Sequence, residues 1–353
     1  MATCPHGGDD DAVTRRSGCL ATTLPPFAGE AAAALGLLLA SVAAAVLAGS
    51  TAAAGGTATL PGTRCPVFPA TSWWHADVRS LPVHARSAAW LSRMAPGARL
   101  HPDFGPSYGE QPVPYGIPVT VVGAGTPKVP VSFTYAAESD RVSYPLGPRT
   151  RIEGGATARG DRHALVVDAS TCTLYETWST RQRADGRWTA GSGAVWSLRS
   201  NRLRPQGWTS ADAAGLPILP GLLRVGEVRS GRVDHAIRFT ADVTDRRHLW
   251  PARHDAGSVS DPAYPLMGAR FRLRASFPIE SYRPDTRVVL RAMRRHGLVL
   301  ADNGSPWFFQ GTADDRWPSG LLEELKTIPA SAFEAVDTSS LRVRATSGVV
   351  RSP

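Results

Sequence analysis

Residues 163–180 read HALVVDASTCTLYETWST. This stretch contains two runs rich in β-branched and aromatic residues on either side of a short polar segment that begins at Asp168, a combination typical of two strands joined by a turn. Side chains alternate along a strand, so Leu174, Glu176 and Trp178 share one face of the second run. The sequence therefore predicts a β-hairpin that carries a carboxylate beside an indole ring.

Similar short runs recur along the chain between glycine- and proline-rich segments, whereas helical patterns are confined to residues 84–94, 286–296 and 320–327. There is no regular alternation of strands and helices, which disfavours a barrel or a doubly wound sheet. We predict a mainly β fold, a β-sandwich or jelly-roll-like arrangement with a few peripheral helices. Residues 302–305 are predicted to form a hairpin turn. The predicted strands are 118–122, 129–135, 163–167, 173–180, 188–198, 235–240, 269–277, 298–301 and 307–310.

Residues 1–54 differ in composition from the rest of the chain. Residues 31–49 contain no charged side chain, and small residues follow them. This pattern is typical of a secretory signal peptide, although the length also allows a membrane anchor. Asp9, Asp10 and Asp11 are unusual ahead of such a run, and translation from near Val13 would leave a normal basic segment. We predict an export signal or anchor at 1–54, a linker at 55–64, a single β-rich domain at 65–340 and a frayed tail at 341–353.

The chain is basic, with a formal net charge of +9 at neutral pH. Only Lys128 and Lys326 are lysines among its 39 basic residues, and the arginines are scattered singly or in pairs. Nucleic-acid-binding proteins concentrate basic residues in a patch or stripe. The scatter therefore predicts a solvated basic surface and no nucleic-acid partner.

Cys65 and Cys172 follow the apolar run, whereas Cys4 and Cys19 precede it. An even pair in an exported chain predicts one disulfide. It would close a loop of about 100 residues and stabilise the fold by ~4 kcal/mol. Two buried free thiols are the alternative. The spacing does not match a zinc site, so no metal is predicted.

Motifs of several large enzyme classes are absent. Residues 121–125, VVGAG, begin like a dinucleotide-binding loop, but Pro127 and Pro130 follow where a helix and a third glycine are needed. The sequence also lacks a G-x-S-x-G elbow, an H-E-x-x-H pair and a Walker-type phosphate loop. No cofactor is therefore predicted.

The most distinctive stretch is WTSADAAGLPILPGL at 208–222. Thr209 and Asp212 fit a capping box, followed by a helical turn that ends at Gly215 and a rigid apolar connector. In the alternative interpretation, Trp208, two hydroxyls and Asp212 form one wall of a sugar-sized cleft.

Residues 66–337 resemble an uncharacterised family of secreted bacterial proteins, and the 208–222 string is the most specific part of that resemblance. The resemblance implies export and a single architectural unit, and it implies no activity, cofactor or catalytic residue. The similar strings are YGIP (115–118), ESD (138–140), IEGG (152–155), GDRH (160–163), LYETW (174–178), GWTSADAAGLPILPGL (207–222), HAIRFT (235–240), WPARH (250–254), MGARFRL (267–273) and ADNGS (301–305).

Candidates for acid–base chemistry lie within these strings. An apolar neighbour such as Trp178 would raise the pKa of Glu176 toward the range of a general acid, although a rim glutamate paired with an arginine is the alternative. His163 is predicted to lie across the hairpin from Glu176. The predicted catalytic residues are Glu176, Asp212, His163 and His254. The predicted substrate-binding residues are Trp178, Trp208, Arg238, Arg253, Asp302 and Asn303.

These residues favour a secreted carbohydrate-active enzyme, a glycoside hydrolase or polysaccharide lyase acting on an extracellular polysaccharide or cell-envelope glycan. A non-catalytic glycan- or surface-binding protein, with Trp178, Trp208 and Trp250 as stacking surfaces, is the alternative. A third hypothesis is an envelope structural protein held in the membrane by an uncleaved 31–49 segment. The predicted location is extracellular or membrane-anchored.

Overall fold

The computed structural model describes residues 59–107, 113–155 and 157–351. The predicted export signal or anchor at 1–54 lies outside these residues, as do positions 55–58 of the predicted linker. At the end of that linker Thr59 forms a bridge with Pro66, and Leu60 is buried. In the part of the chain described, no helix combines the length and apolar character needed to cross a bilayer.

Short strands dominate the described chain. They are β1 (His101–Asp103), β2 (Val119–Val122), β3 (Val131–Phe133), β4 (Ala164–Asp168), β5 (Thr173–Trp178), β6 (Arg181–Gln182), β7 (Trp188–Ala190), β8 (Ser192–Ser197), β9 (Ile237–Ala241), β10 (Asp245–His248), β11 (Leu266–Met267), β12 (Arg270–Leu273), β13 (Leu298–Asn303), β14 (Phe308–Gln310) and β15 (Phe333–Val336). The α-helices are α1 (Ser87–Arg93), α2 (Val225–Arg229), α3 (Pro284–Arg295) and α4 (Ser319–Leu325).

The strands form several sheets. The largest has the order β1-β14-β9-β13-β12-β15, and the next has the order β2-β4-β5-β8. A third sheet is ordered β3-β7-β6, and β10 pairs with β11. Parallel pairs such as β9 with β13 and β2 with β4 occur beside antiparallel ones. The predicted mainly β fold with a few helices is confirmed.

The hairpin predicted from residues 163–180 is present as β4 and β5, with Leu165 opposite Glu176. Leu165 and Leu174 pack in the main core, whereas Val166 and Tyr175 pack in a second cluster on the opposite face. Since both faces of the hairpin are covered, every residue of β4 is buried.

The predicted hairpin turn at residues 302–305 is wrong. β13 and β14 do not pair with each other, because β9 lies between them and pairs with both. Asp302 and Asn303 are the last residues of β13 instead of turn residues. The chain then crosses the end of β9, where Gly304 contacts Thr240.

The predicted capping box and helical turn in the 208–222 segment are also wrong. The only helical piece there is a short 3-10 turn at Leu219–Gly221. The segment lies between the two largest sheets: the amide of Ala214 donates to the carbonyl of Ala301 in β13, while Glu176 of β5 accepts from the amides of Ile218 and Leu219. The segment is therefore a buried connection between sheets.

Large aromatic side chains fill the core beneath the six-stranded sheet. The rings of Phe239, Phe271 and Phe333 surround Trp307 at centroid distances of 5.4, 5.9 and 5.4 Å. Each fully buried side chain of this kind contributes about 1.5–3 kcal/mol through the hydrophobic effect. These aromatic residues stabilise the fold and are not available to a ligand.

The predicted frayed tail at 341–353 is instead attached to the body of the protein as far as it is described. Leu341 is buried, Ser347 bridges Arg202, and Val349 bridges Ser72. The last two residues, 352 and 353, lie outside the described residues.

Candidate functional site

Two adjoining cavities contain most of the predicted site residues. The first, here called the aromatic cavity, has a volume of about 360 Å³. The 208–222 segment supplies part of its wall, including Thr209, Ser210 and Asp212. Its other characteristic residues are Tyr135, Glu138, Trp178, Ser192 and His254.

The second cavity, here called the acidic cavity, has a volume of about 250 Å³. Asp161, Asp302 and Asn303 line both cavities, so the two spaces meet at these side chains. The residues that characterise the acidic cavity alone include Asp103, Glu153, His163, Arg238 and Gln310.

Tyr135 and Trp178 form an aromatic wall. Their ring centroids are 6.3 Å apart, and the indole nitrogen of Trp178 donates to Asp161 Oδ1 at 3.1 Å. Gly191 makes this position of the indole possible, since a Cβ there would lie 2.1 Å from the Trp178 ring. The prediction that Trp178 faces a cleft agrees with this geometry.

Asp302 occupies the junction of the two cavities because of a bulge in β13. Leu300 pairs with Phe239 and Asp302 with Thr240, which leaves Ala301 as an extra residue. Bulges re-aim side chains and occur often beside active sites. About a quarter of the Asp302 side chain is exposed. Its burial and the negative charge of Asp212 raise the pKa of Asp302 to about 7.

Asp212 lines the aromatic cavity, but its carboxylate is not accessible. Both of its oxygens accept from Arg238, at 2.9 and 2.7 Å, and the Asp212 side chain is fully buried. The same guanidinium lies 3.5 Å from Asp302. The predictions of Asp212 as a catalytic carboxylate and of Arg238 as a substrate-binding residue are therefore not supported, because each is neutralised by the other.

His163 is held as an imidazolium that donates from both ring nitrogens. Nδ1 lies 2.7 Å from Glu153 Oε2, and Nε2 lies 3.2 Å from the carbonyl oxygen of Ala211. Burial by itself lowers the pKa of His163, but the charge and hydrogen bond of Glu153 outweigh it and raise the pKa to about 9. His163 was predicted to act as a base or to orient another group; this geometry does not support the role of base, since neither nitrogen has a lone pair to accept a proton at neutral pH.

His254 keeps one nitrogen available. Nδ1 lies 2.8 Å from the carbonyl oxygen of Ala213, and a carbonyl only accepts, so Nδ1 carries the proton. Nε2 then faces the carboxylate of Glu138 at 3.5 Å, in the aromatic cavity. Of the two predicted histidines, His254 is the one with a ring nitrogen that faces the aromatic cavity.

Glu176 lies behind the cavities and lines neither. It is fully buried, and its carboxylate accepts from the amides of Ile218 and Leu219 and from the indole nitrogen of Trp196. Burial raises the pKa of Glu176 to about 7, although the amide donors oppose that increase. The prediction of a catalytic Glu176 is therefore not supported, because no ligand in either cavity reaches it.

The remaining predicted substrate-binding residues have other partners. Arg253 donates to the carbonyl oxygens of Arg204 and Ala345, so it holds backbone and not ligand. Trp208 lines a separate cavity, where its ring and that of Trp196 contact the Arg204 guanidinium. The structure does not bring Trp208 to the two adjoining cavities.

Asn303 lines both cavities, but its amide group is already engaged at both ends. Its Nδ2 donates to the carbonyl oxygen of Ala256, and its Oδ1 accepts from the hydroxyl of Thr244. Asn303 thus shapes the junction by holding neighbouring backbone and side chain.

The predicted disulfide between Cys65 and Cys172 is confirmed, with an S–S distance of 1.99 Å and a sequence separation of 107. It ties the start of the described chain to the turn between β4 and β5, the hairpin that ends at Trp178. The bond therefore anchors the end of the hairpin that is opposite to Trp178.

Several cavity residues were not predicted. Glu153 and Asp161 belong to the strings IEGG and GDRH, where a turn explains each of them from sequence, and Glu138 belongs to the string ESD. Their only sequence signal is that each is a carboxylate within a distinctive string. Asp103 and Gln310 lie in short strands without such a signal.

A cavity of about 460 Å³ elsewhere is lined by residues such as Arg151, Ile152 and Trp188, and it contains none of the predicted site residues. Among the described residues, no group of three or more His, Cys, Asp or Glu side chains is placed to hold a metal ion. No family model, no curated protein and no solved structure matches the chain. Function is therefore inferred from the side chains that line the two adjoining cavities.

Proposed function

We propose that the protein is a secreted glycoside hydrolase whose active site is formed by the aromatic and acidic cavities, with Asp302 as general acid. The observation that carries this proposal is the position of Asp302, a partly exposed carboxyl at the junction of the two cavities. Its pKa, raised to about 7 by burial and by Asp212, keeps a substantial fraction protonated near neutral pH. A general acid needs this combination of access and protonation.

Glycoside hydrolysis requires a second group that accepts a proton. Glu138 and Asp161 line the aromatic cavity with Asp302, and His254 presents Nε2 toward Glu138. Paired carboxyl groups on either side of a scissile bond are the usual machinery of glycosidases. We assign Glu138, supported by His254, as the base and Asp161 as an auxiliary carboxylate that also orients Trp178.

The proposed reaction consumes only the glycan and one water molecule. Asp302 gives its proton to the glycosidic oxygen as the bond from that oxygen to the anomeric carbon breaks. Water adds to the anomeric carbon, and its released proton goes to Glu138. The products are two sugars with one new reducing end, and transfer of a proton back to Asp302 restores the enzyme.

The aromatic wall supports a sugar as the ligand. The Tyr135 ring is about half exposed, and Trp178 is partly exposed beside it. Flat rings pack well against the C–H face of a pyranose, whereas hydroxyl-bearing residues such as Ser192 and Thr209 can exchange hydrogen bonds with sugar hydroxyls. A hydrolase is favoured over a uronate lyase because Arg238, the only arginine among the described residues that line either cavity, is neutralised by Asp212.

Export is part of the proposal. The Cys65–Cys172 disulfide supports it, since disulfides persist in oxidising compartments. The apolar segment at 31–49 would direct the chain there as a signal peptide or hold it at the membrane. Fractionation of cells that express the full chain would test the location independently of activity.

The test is release of reducing ends by the full-length chain from a panel of neutral, amino-sugar and uronate glycans. Asp302→Asn should lower the rate by roughly 10²–10⁴-fold, because it removes the transferable proton while conserving shape. The matched control is Asp185→Asn in the exposed turn before β7, which should leave the rate unchanged.

Binding to the same panel is measured in parallel. Tight binding without cleavage would identify a glycan-binding protein and reject the enzymatic proposal. An undiminished rate in Asp302→Asn would reject the assignment of the acid. Neither cleavage nor binding across the panel would reject a carbohydrate function altogether.

A further inference from the structure

The acidic cavity contains more negative charge than its own cations can neutralise. Among the described residues, its lining carboxylates are Asp103, Glu153, Asp161 and Asp302, and its lining cations are His163 and Arg238. Both cations already have partners, since His163 is bound to Glu153 and Arg238 to the buried carboxylate of Asp212.

Asp103 and Asp161 form no ion pair within the described chain, although Asp161 also interacts electrostatically with the His163 imidazolium. Asp103 accepts from two neutral donors, the hydroxyl of Tyr115 and the amide of Gln310. Asp161 accepts from the indole nitrogen of Trp178. The protein as a whole has a net charge of +9, so this group of carboxylates is opposite in sign to the net charge of the chain.

Gln310 adds an observation that is independent of charge. Its side chain lines the acidic cavity and the residue is 4% exposed, yet Oε1 has no hydrogen-bond partner among the described residues. The carboxylate of Asp103 only accepts, which fixes the Gln310 NH₂ group toward Asp103 and leaves Oε1 as the free end. A buried acceptor without a donor costs about 1–3 kcal/mol, so a shift of the Gln310 side chain that brings Oε1 to the donor of a ligand is favoured.

We propose that the acidic cavity is the subsite for a sugar unit that carries a free ammonium group, so that the substrate is a glycan containing unacetylated amino sugar. This inference rests on the proposed function, because it treats the two cavities as neighbouring subsites on either side of Asp302. The ammonium supplies three donors and a positive charge to a space bordered by Asp103, Asp161 and Gln310. A uronate carboxylate would instead face like charges.

The test uses free monosaccharides, which contain no glycosidic bond, so it does not depend on catalysis. Binding of glucosamine, N-acetylglucosamine and glucuronic acid to the full-length chain is measured by calorimetry at low salt. We expect glucosamine to bind at least about tenfold more tightly than either of the others, and we expect added salt to reduce that preference because the attraction is electrostatic.

Two variants on different segments test whether the glucosamine preference arises in the acidic cavity. Asp103→Asn and Asp161→Asn should each reduce the glucosamine preference at least about threefold, while the exposed control Asp185→Asn should retain it. Thermal melting of each variant checks that it is folded, and the salt dependence of the native chain provides a measurement that needs no variant.

Equal or tighter binding of N-acetylglucosamine or glucuronic acid would overturn the proposal, as would a preference that is insensitive to salt and to both substitutions. Failure of all three sugars to bind would overturn it as well. If the native chain prefers glucosamine but cleaves no glycan, the hydrolase assignment is contradicted and the amino-sugar subsite is not. The two proposals can therefore be rejected independently.

Discussion

Arg238 and Asp212 form a bidentate ion pair in which the two side chains are 3% and 0% exposed. The pair joins β9 of the six-stranded sheet to the 208–222 segment, and Arg238 also reaches Asp302 at 3.5 Å. It therefore has two roles: it fixes the segment that separates the sheets, and it sets the electrostatic environment of the proposed acid.

Removal of one partner of this pair should strongly destabilise the fold. Asp212→Asn leaves the Arg238 guanidinium buried with only the more distant Asp302, and such losses cost about 3–5 kcal/mol. Denaturant unfolding measures the effect. The matched control is Asp185→Asn, which breaks the exposed pair with Arg187 and should change the free energy of unfolding far less. Equal effects of the two substitutions would contradict the buried character of the Arg238–Asp212 pair.

The rate of hydrolysis should fall as the pH rises above about 7. Asp302 acts in its protonated form, and its pKa of about 7 places the loss of that form there. The negative charge of Asp212 contributes to the raised pKa, so in any folded fraction of Asp212→Asn the descending limb should move to lower pH. A pH–rate profile that stays flat from pH 6 to pH 9 would remove Asp302 from the role of acid.

Glu176→Gln should reduce stability without a specific loss of ligand binding. The glutamine NH₂ would be turned toward N–H donors of Ile218, Leu219 or Trp196, which leaves buried donors unsatisfied at a cost of about 1–3 kcal/mol. The exposed control Glu280→Gln should change the free energy of unfolding by less than about 0.5 kcal/mol. The folded variant should bind glycan with the same affinity as the native chain in calorimetry. A loss of glycan affinity without a loss of folding would show that Glu176 does take part in ligand binding.

The His163–Glu153 pair should make stability depend on pH between about 6.5 and 9. His163 has a raised pKa in the folded chain, so its contribution is complete below pH 6.5 and is lost as the pH rises through about 9. That contribution is at most about 3 kcal/mol. The free energy of unfolding of the native chain should fall across this interval, and Glu153→Gln should flatten the dependence, whereas the exposed control Glu323→Gln should not.

Gly191→Ala should weaken glycan binding by displacing Trp178. A Cβ at this position would lie 2.1 Å from the indole ring, so the ring must move out of the aromatic wall. Loss of one aromatic contact predicts about tenfold weaker binding. The control is Gly226→Ala in α2, where nothing lies within 4 Å of the added Cβ. If both variants bind as the native chain does, the aromatic wall is not part of the ligand site.

Local pattern predicted the elements whose side chains pack according to strand or helix period. The β4–β5 hairpin and the helix at 286–296, observed as α3 at Pro284–Arg295, follow from runs that are apolar at the right spacing. The Cys65–Cys172 pairing followed from counting cysteines after the apolar run. The hairpin and the helix depend on residues that are near each other in sequence. The disulfide follows because only two cysteines come after the apolar run, so only one pairing is possible.

Some of the residues in the proposed site were named from sequence. Asp302, Asn303, Trp178 and His254 all line the aromatic cavity, and their roles there stay predictions. Glu176 and His163 were assigned to catalysis because a carboxylate and an imidazole lie near each other on the hairpin. Their burial and hydrogen bonding come from the 208–222 segment and from Glu153, which no local pattern connects to them.

The sequence by itself determined that the chain forms short strands, which of them pair as the first hairpin, and which cysteines join. Only the tertiary structure decided which carboxyl groups are neutralised and which remain accessible. The physical reason is that burial and charge pairing depend on distances between segments far apart in the chain. Asp212 is neutralised by Arg238, whereas Asp302 is partly exposed at a bulge in β13, which pairs with β9 and accepts a hydrogen bond from the 208–222 segment.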